Sequence, residues 1–152
     1  KPGHDNATPA GNGIAASALV AFGHLAADVR YVDAARRAVE LFAPGLTESP
    51  AGHSSVLAAL TALDTPPASV LLTSDADVCA AWQRTLETAF RPGARVFNLG
   101  GVRDVPEALV KGAAPTAGAA AWVCVGTTCL PPMTTVEAIE GALASTPGPA
   151  PR

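Results

Sequence analysis

The sequence predicts an α/β protein in which helices come first and a small open parallel three-stranded sheet with flanking helices follows. Two patterns indicate this fold class. The first part of the chain carries apolar residues at helical spacing, whereas the second contains three short apolar runs of strand length. We therefore divide the chain into a helical segment (1–65), an α/β module (66–144) and a tail (145–152). The tail is rich in Pro and Gly, and we expect it to be disordered.

The helical segment is predicted to contain three helices. The first carries an apolar stripe and small residues on its other face, so we expect it to be buried nearly all round. A second helix ends at Pro44-Gly45, and a third ends before Pro66-Pro67. The residues expected to face inward in the three helices are, in order, Ile14, Ala18, Phe22, Leu25 and Val29; Val32, Ala35, Val39 and Phe42; and Val56, Leu57, Leu60 and Leu63.

The α/β module is predicted from strand and capping patterns. Strands are expected at 69–73, 95–99 and 119–125. The first two enclose a helix, so they form a βαβ unit, whose strands are parallel. Two capping-box pairs are expected to open the helices of this module, Ser74 with Asp77 and Thr134 with Glu137.

Composition excludes several classes of function. The net charge is −3 and no basic stripe is present, so a nucleic-acid-binding surface is not expected. No apolar run approaches the roughly 20 residues that a membrane-spanning helix needs. Three cysteines are an odd count, which favours a reducing cytoplasm over a secreted disulfide scaffold.

The start of the chain suggests a fragment. The chain begins at Lys1, and its one methionine is Met133. We therefore expect the chain to be the C-terminal part of a larger protein, cut by design or by proteolysis. Removal of a signal peptide is the alternative.

Two motifs carry a resemblance to a known family. The first is Asp5-Asn6-Ala7-Thr8-Pro9-Ala10-Gly11-Asn12-Gly13, directly before a helix. The second is Ala121-Trp122-Val123-Cys124-Val125-Gly126-Thr127-Thr128-Cys129-Leu130-Pro131-Pro132. In this order they resemble the C-terminal region of the thioredoxin-domain-containing, spermatogenesis-associated family and its bacterial YyaL-type members. Ala10 and Gly13 stand where that family usually has serines, and Trp122 where it often has tyrosine, so the two serine positions carry no hydroxyl for catalysis.

The resemblance implies an architecture and a function. Family members combine a thioredoxin-like domain with a six-hairpin, N-acylglucosamine-epimerase-like α/α toroid. Residues 1–65 would then be the end of that toroid, and the rest of the parent chain would be the partner of this segment. The implied parent is a carbohydrate-processing, epimerase- or glycosidase-like enzyme with a sugar-like ligand, and the fragment alone is expected to be inactive.

Asp5 and Asn12 are the candidate ligand-binding residues. Loops at helix N-termini line the cavity of a toroid, where polar side chains bind sugar-like ligands, and a helix N-terminus favours anionic groups. Local sequence favours the simpler interpretation that Asn12 is an N-cap beside a turn at Gly11.

Cys124 and Cys129 are the candidate redox residues. Four residues separate them, which allows a reversible or structural disulfide. A zinc site usually needs four ligands, and no second pair stands nearby, so neither a metal nor a cofactor is predicted. No basic residue adjoins the pair to lower a thiol pKa. The simplest interpretation of Cys124 is a buried small hydrophobic residue, and Cys79 is expected to serve packing.

A third candidate site is the crevice at the carboxyl ends of the strands. In a parallel sheet, 73–75, 98–101 and the residues from 124 onward would meet at one edge, where open α/β sheets bind ligands. Gly100-Gly101 does not match a dinucleotide-binding fingerprint, so a nucleotide is weakly supported. The alternatives to a sugar-active parent are a non-catalytic docking or regulatory module and a thiol-redox module.

Overall fold

The computed structural model describes residues 3–113 and 118–146, and the chain divides into two compact units, Lys1–Pro66 and Pro67–Arg152. Of the predicted disordered tail, residues 147–152 lie outside the described residues, and Ser145 is the last residue of the final helix. Within the described ranges, every helix falls short of the length and hydrophobicity that crossing a membrane requires.

The first unit is helical. Its α-helices are α1 (Gly11–Ala26), α2 (Val29–Glu40), α3 (Ala43–Glu48) and α4 (Ser54–Asp64), and a 3-10 turn (Pro50–His53) precedes α4. Helix α1 packs against both α2 and α4. The core between them consists of small and β-branched side chains, namely Ala16, Val20, Ala35, Val39, Val56 and Ala59. The predicted inner face of α2 is confirmed at Ala35 and Val39.

The predicted apolar stripe of the first helix is wrong. Ile14 and Phe22 are 53% and 48% exposed, and α1 instead buries a face that begins at Gly13 and Ala16. The reason is the close approach of the neighbouring helices, which leaves room only for small side chains. A Cβ atom at Gly13 would collide with the backbone of Ser55 in α4. The predicted stripe also extended too far, to Val29. Helix α1 ends at Ala26, and the next residue, Ala27, has a left-handed conformation with φ 56°.

The second unit is an α/β fold with one four-stranded sheet. Its elements are β1 (Ala68–Ser74), α5 (Ala76–Thr88), β2 (Ala94–Asn98), β3 (Ala119–Val125), β4 (Thr128–Cys129) and α6 (Val136–Ser145). A 3-10 turn (Glu107–Leu109) lies between β2 and β3. The strand order is β2-β1-β3-β4, and β1 and β2 are parallel as predicted.

The prediction of a parallel three-stranded sheet is wrong in two respects. Strand β3 runs antiparallel to β1, with Leu71 opposite Trp122, and β4 adds a fourth strand antiparallel to β3. A parallel third strand would need a crossover that returns the chain to the opposite edge. The described part of the segment between β2 and β3 contains only a single 3-10 turn, so β3 starts at the edge where β2 ends and must run the other way.

The two predicted capping boxes are wrong, because each helix has a single side-chain cap one residue later, and Val78 and Ala138, three positions after the caps, lack the side-chain acceptor that a box requires. The N-cap of α5 is Asp75, whose side chain accepts from the backbone N–H groups of Asp77 and Val78. Ser74 cannot take this role because it is still the last residue of β1, with φ 85°. The N-cap of α6 is Thr135, which accepts from the N–H of Ala138. In both cases a side-chain cap was predicted at the correct helix end but one residue too early, and in α5 the cap is Asp rather than Ser.

The two faces of the sheet are covered differently. Helices α5 and α6 pack on the face that carries Val70, Leu72, Ala121 and Val123, and Ile139 of α6 is fully buried there. Because strand side chains alternate, Leu71, Thr73 and Trp122 lie on the other face. There Gly112, from the segment after β2, lies against the ring of Trp122.

Candidate functional site

Asp5 joins the loop before α1 to the start of α4. Its Oδ1 accepts hydrogen bonds from the N–H of Ala10 at 2.7 Å and from the hydroxyl of Ser55 at 2.5 Å. Its Oδ2 accepts from the N–H of Ser55 at 2.7 Å, and its own N–H donates to the carbonyl of Gly52. The N–H of Ser55, in the first turn of α4, has no partner within the helix, so Asp5 caps α4 from a distant part of the chain.

These hydrogen bonds also set the charge of Asp5. The Ser55 hydroxyl contributes most, followed by the backbone N–H groups of Ala10 and Ser55, and together they lower the pKa of Asp5 to about 2. The charge of His53 lowers this pKa slightly further. Asp5 is therefore a carboxylate at any physiological pH.

Two histidines, His4 and His53, lie beside Asp5, and the sequence patterns did not indicate that they meet. The rings of His4 and His53 meet edge to face, with 5.4 Å between their centroids. His53 Nδ1 lies 3.0 Å from the carbonyl oxygen of Ser49. His4 packs against Gly52, where a Cβ atom would collide with its ring. The two histidines are far apart in the sequence, so sequence spacing does not link them. The one available clue was that the Asp5 carboxylate of the first motif needs hydrogen-bond donors from elsewhere in the chain, and these come from Ser55, close to His53.

Asn12 directly precedes Gly13, which packs against Ser55, but Asn12 does not cap the helix. It is the second residue of α1 and is half-buried, whereas the N-cap position belongs to Ala10. The predicted capping role is therefore wrong, because the N–H of Ala10 is held by Asp5 and the helix begins one residue before Asn12. The ligand-binding role of Asp5 and Asn12 stays a prediction. We name the group His4, Asp5, Asn12, His53 and Ser55 the loop cluster.

The chemistry of the loop cluster is that of an ordered polar surface. Both carboxylate oxygens of Asp5 accept hydrogen bonds from within the protein, and these bonds fix the loop. His4 is exposed and His53 and Asn12 are half-buried, so each of these polar residues reaches the surface in part. Such groups both donate and accept hydrogen bonds, which suits the hydroxyl groups of a sugar.

Cys124 and Cys129 form a disulfide across the β3–β4 hairpin. They lie directly opposite each other, with 3.9 Å between their Cα atoms, and the N–H of Leu130 donates to the carbonyl of Val123 just beyond them. The pair thus occupies the closer, non-hydrogen-bonded type of position in the ladder. Gly126 has φ 59°, which a hairpin turn of type II′ requires at its first position.

The three cysteines differ in access. Cys124 is buried at 3% exposure, as expected for a small hydrophobic residue, while Cys129 is half-buried. Cys79 is fully buried and unbonded to another cysteine, and its thiol donates to the carbonyl of Thr73 at 3.3 Å. Burial raises the pKa of the Cys79 thiol, which fits a packing role. Among the residues that the structure describes, no three His, Cys, Asp or Glu side chains are placed to hold a metal ion.

The predicted crevice at the strand ends is only partly correct. Thr73 and Ser74 at the end of β1 do meet the residues after β2, because the N–H of Leu99 donates to Leu72 and that of Gly101 to Ser74. The residues from Cys124 onward lie at the opposite end of the sheet, since β3 is antiparallel and Cys124 pairs with Ser69.

Comparisons of this chain with protein-family models, curated proteins and solved structures find no match. The family resemblance therefore depends on the two motifs alone.

Proposed function

We propose that this chain is the C-terminal part of a carbohydrate-processing protein of the thioredoxin-domain-containing YyaL type, in which the loop cluster forms part of the wall of a sugar-binding cavity. The observation that carries this proposal is the anchoring of the motif loop by Asp5. Three hydrogen bonds fix the loop at the N-terminus of α1, so the exposed polar groups beside it are held in place before a ligand arrives.

The surface of the helical unit supports the same proposal. Large apolar side chains on α1 and α4 are exposed at 40% or more: Ile14, Phe22, Leu57 and Leu60. In an α/α toroid these positions would pack against neighbouring helix pairs of the parent chain. The proposal thus accounts both for the apolar faces and for the order of the polar loop.

Titration calorimetry of the full-length protein with N-acetylglucosamine and N-acetylmannosamine tests this function. We expect saturable binding of at least one sugar, and we expect Asn12→Ala to weaken it about tenfold, the loss of one or two hydrogen bonds. Arg36→Ala is the matched control, because Arg36 is exposed on α2 and does not belong to the loop cluster.

Asn12→Ala is preferred to a change at Asp5, because loss of Asp5 would disturb the fold itself. Sugar binding that is equal in Asn12→Ala and Arg36→Ala would contradict the role of the loop cluster. Absence of binding to any sugar in the unmodified protein would contradict the function.

A second candidate function is thiol–disulfide exchange, and the Cys124–Cys129 disulfide favours it. A thiolate of a dithiol reductant attacks the half-buried sulfur of Cys129 and forms a mixed disulfide. The bond to Cys124 breaks, and the Cys124 sulfur leaves with the electron pair and takes up a proton. The second thiol of the reductant then displaces Cys129, so the reductant is oxidised to a disulfide and both cysteines are reduced.

Thiol counting distinguishes this exchange from a structural disulfide. After incubation with reduced thioredoxin and unfolding, we expect the number of reactive thiols to rise from one, Cys79, to three. The Cys124→Ser, Cys129→Ser double variant should stay at one throughout. A disulfide that resists thioredoxin while dithiothreitol in denaturant reduces it would contradict exchange and leave the bond a structural role.

A further inference from the structure

Strand β2 forms one edge of the sheet in the second unit. In the strand order β2-β1-β3-β4, its one neighbour within the described part of the chain is β1. All five residues of β2 are half-buried, whereas β1 is buried over most of its length. An edge strand carries a row of backbone groups without ladder partners, and such a row pairs readily with another strand.

Hydrogen bonds at the two ends of β2 show which of its residues point outward. The carbonyl of Gly93 accepts a hydrogen bond from β1, and the N–H of Leu99 donates one to β1. In a parallel pair, every second residue bonds to the neighbouring strand, so positions 93, 95, 97 and 99 face β1. The three residues between them, Ala94, Val96 and Asn98, therefore direct their backbone groups to the open edge.

Most of these outward groups are unpaired. The N–H of Ala94 donates to the carbonyl of Arg91 at 3.0 Å. The carbonyl of Ala94, both backbone groups of Val96 and the N–H of Asn98 make no hydrogen bond within the residues that the structure describes. The side chain of Asn98 does not cover the edge, because its amide donates to Gln83 of α5 at 3.0 Å. The edge thus presents donors and acceptors at the spacing of an extended strand.

The open edge is complementary to a second copy of itself. When two β2 strands run antiparallel about a twofold axis at Val96, the two Val96 residues exchange both of their backbone hydrogen bonds. The same register places the N–H of Asn98 opposite the carbonyl of Ala94 in the other copy. Each unpaired donor of the edge then meets an unpaired acceptor, and the N–H of Ala94 keeps its bond to Arg91.

The side chains beside the edge fit the same register. Val96 packs against the core between the sheet and its helices, so Arg95 and Phe97 lie on the other face. In a pair centred on Val96, Arg95 of one copy lies directly opposite Phe97 of the other, at a closely spaced position of the ladder. Within the described residues Arg95 makes no ion pair, so its guanidinium can stack on this ring as a cation–π contact.

We propose that the chain forms a twofold dimer in which two β2 strands pair antiparallel about Val96 and join the two sheets into one. The occupant of the open edge is a second copy of this chain. The surface lies on the α/β unit and is independent of the sugar cavity proposed for the helical unit. Since the contact is confined to one strand pair and its flanking side chains, we expect a dissociation constant in the micromolar range.

Sedimentation equilibrium of the chain and its variants tests the dimer and its register. Phe97→Lys should abolish the dimer, because two positive charges then face each other across the axis on each side. Adding Arg95→Glu to this variant should restore the dimer, since opposite charges now meet. This rescue is specific to the register that places position 95 opposite position 97. Circular dichroism shows that each variant is folded.

Val96→Pro tests the backbone pairing itself. Proline is tolerated on an edge strand where its N–H would face solvent, so the variant should fold but sediment as a monomer. Arg95→Glu alone should weaken the dimer about tenfold through loss of the cation–π contacts. Arg36→Glu is the matched control for this charge change, because Arg36 is exposed on α2, and it should leave the dimer intact.

Three results would overturn the proposal. An unmodified chain that stays monomeric up to millimolar concentration would show that the edge is simply solvated. A dimer that persists in Val96→Pro would place the contact elsewhere on the chain. A double variant of Phe97→Lys and Arg95→Glu that is folded but remains monomeric would contradict the register.

Discussion

The carboxylate of Asp5 links residues that are fifty positions apart in the sequence, because it accepts hydrogen bonds from Ala10 on one side and Ser55 on the other. Its contribution is larger than that of a local cap, since it fixes the entry into α1 and the first turn of α4 at once. The Asp5 side chain thus orders the motif loop. The same hydrogen bonds stabilise the ionised form of Asp5, so its charge depends on the folded structure.

Asp5 predicts a specific sensitivity to acid. Its pKa is lowered from an ordinary value of 3.8 to about 2, so the unfolded chain binds the proton more readily than the folded one. The stability that Asp5 provides is therefore present above about pH 4 and is lost as the pH falls through about 2. We expect Asp5→Asn to be less stable than the unmodified protein at pH 7 and the difference in urea midpoint to narrow between pH 4 and pH 2.

Ser55→Ala provides the matched comparison for this titration. It removes the hydroxyl that contributes most to the low pKa of Asp5, so the pKa of Asp5 in the folded protein rises towards its ordinary value. The loss of stability in acid should therefore be smaller than in the unmodified protein and should be complete at a higher pH. The urea midpoints of Asp5→Asn and the unmodified protein are compared in the same way. A difference between these midpoints that stays constant from pH 7 to pH 2 would show that folding does not change the pKa of Asp5.

Helices α1 and α4 meet through small residues. Gly13 faces Ser55 so closely that any side chain there would meet the backbone of α4, which cannot rotate away as a side chain does. Gly11, one position before Asn12, has no atom within 4 Å of where its Cβ would be. The same helix therefore holds one glycine that packing requires and one that packing does not.

Paired alanine substitutions measure this difference. Gly13→Ala should destabilise the protein by about 1–3 kcal/mol, because the helices must separate to admit the methyl group. Gly11→Ala should be neutral or stabilising by up to about 1 kcal/mol, since alanine loses less backbone entropy in a helix. Urea unfolding followed by circular dichroism gives both values. Similar free energies of unfolding for the two variants would show that the helices are not in close contact.

At the scale of the whole molecule, local patterns predicted more of the fold than long-range ones. The positions of β1, β2 and β3 follow from short apolar runs, and the parallel β1–β2 pair follows from the helix between them. The direction of β3 depends on how a long irregular segment returns to the sheet, which periodicity does not encode. The buried face of α1 was missed because alanine and glycine carry little hydrophobic signal, although close packing selects them.

The candidate sites divide in the same way. The motifs led to Asp5 and to the cysteine pair, but hydrogen bonding and strand register determine what these residues do. His4 and His53 meet only through the folded loop. The hydroxyl of Thr73, unsatisfied within the described part of the chain, was missed for a related reason, since hydrogen bonding is a property of the surroundings and Thr73 has no unusual sequence context.

The segment between β2 and β3 begins and ends at one edge of the sheet. Its first residues bond to the end of β1 through Leu99 and Gly101, and its last bond there through Gly118, whose carbonyl accepts from the N–H of Asp75. The four strands of the sheet pair with one another independently of this segment. Segments anchored in this way tolerate changes of length, because their closure entropy rises slowly with length. New recognition sequences could thus be grafted into this segment, provided that the contact between Gly112 and the ring of Trp122 is kept.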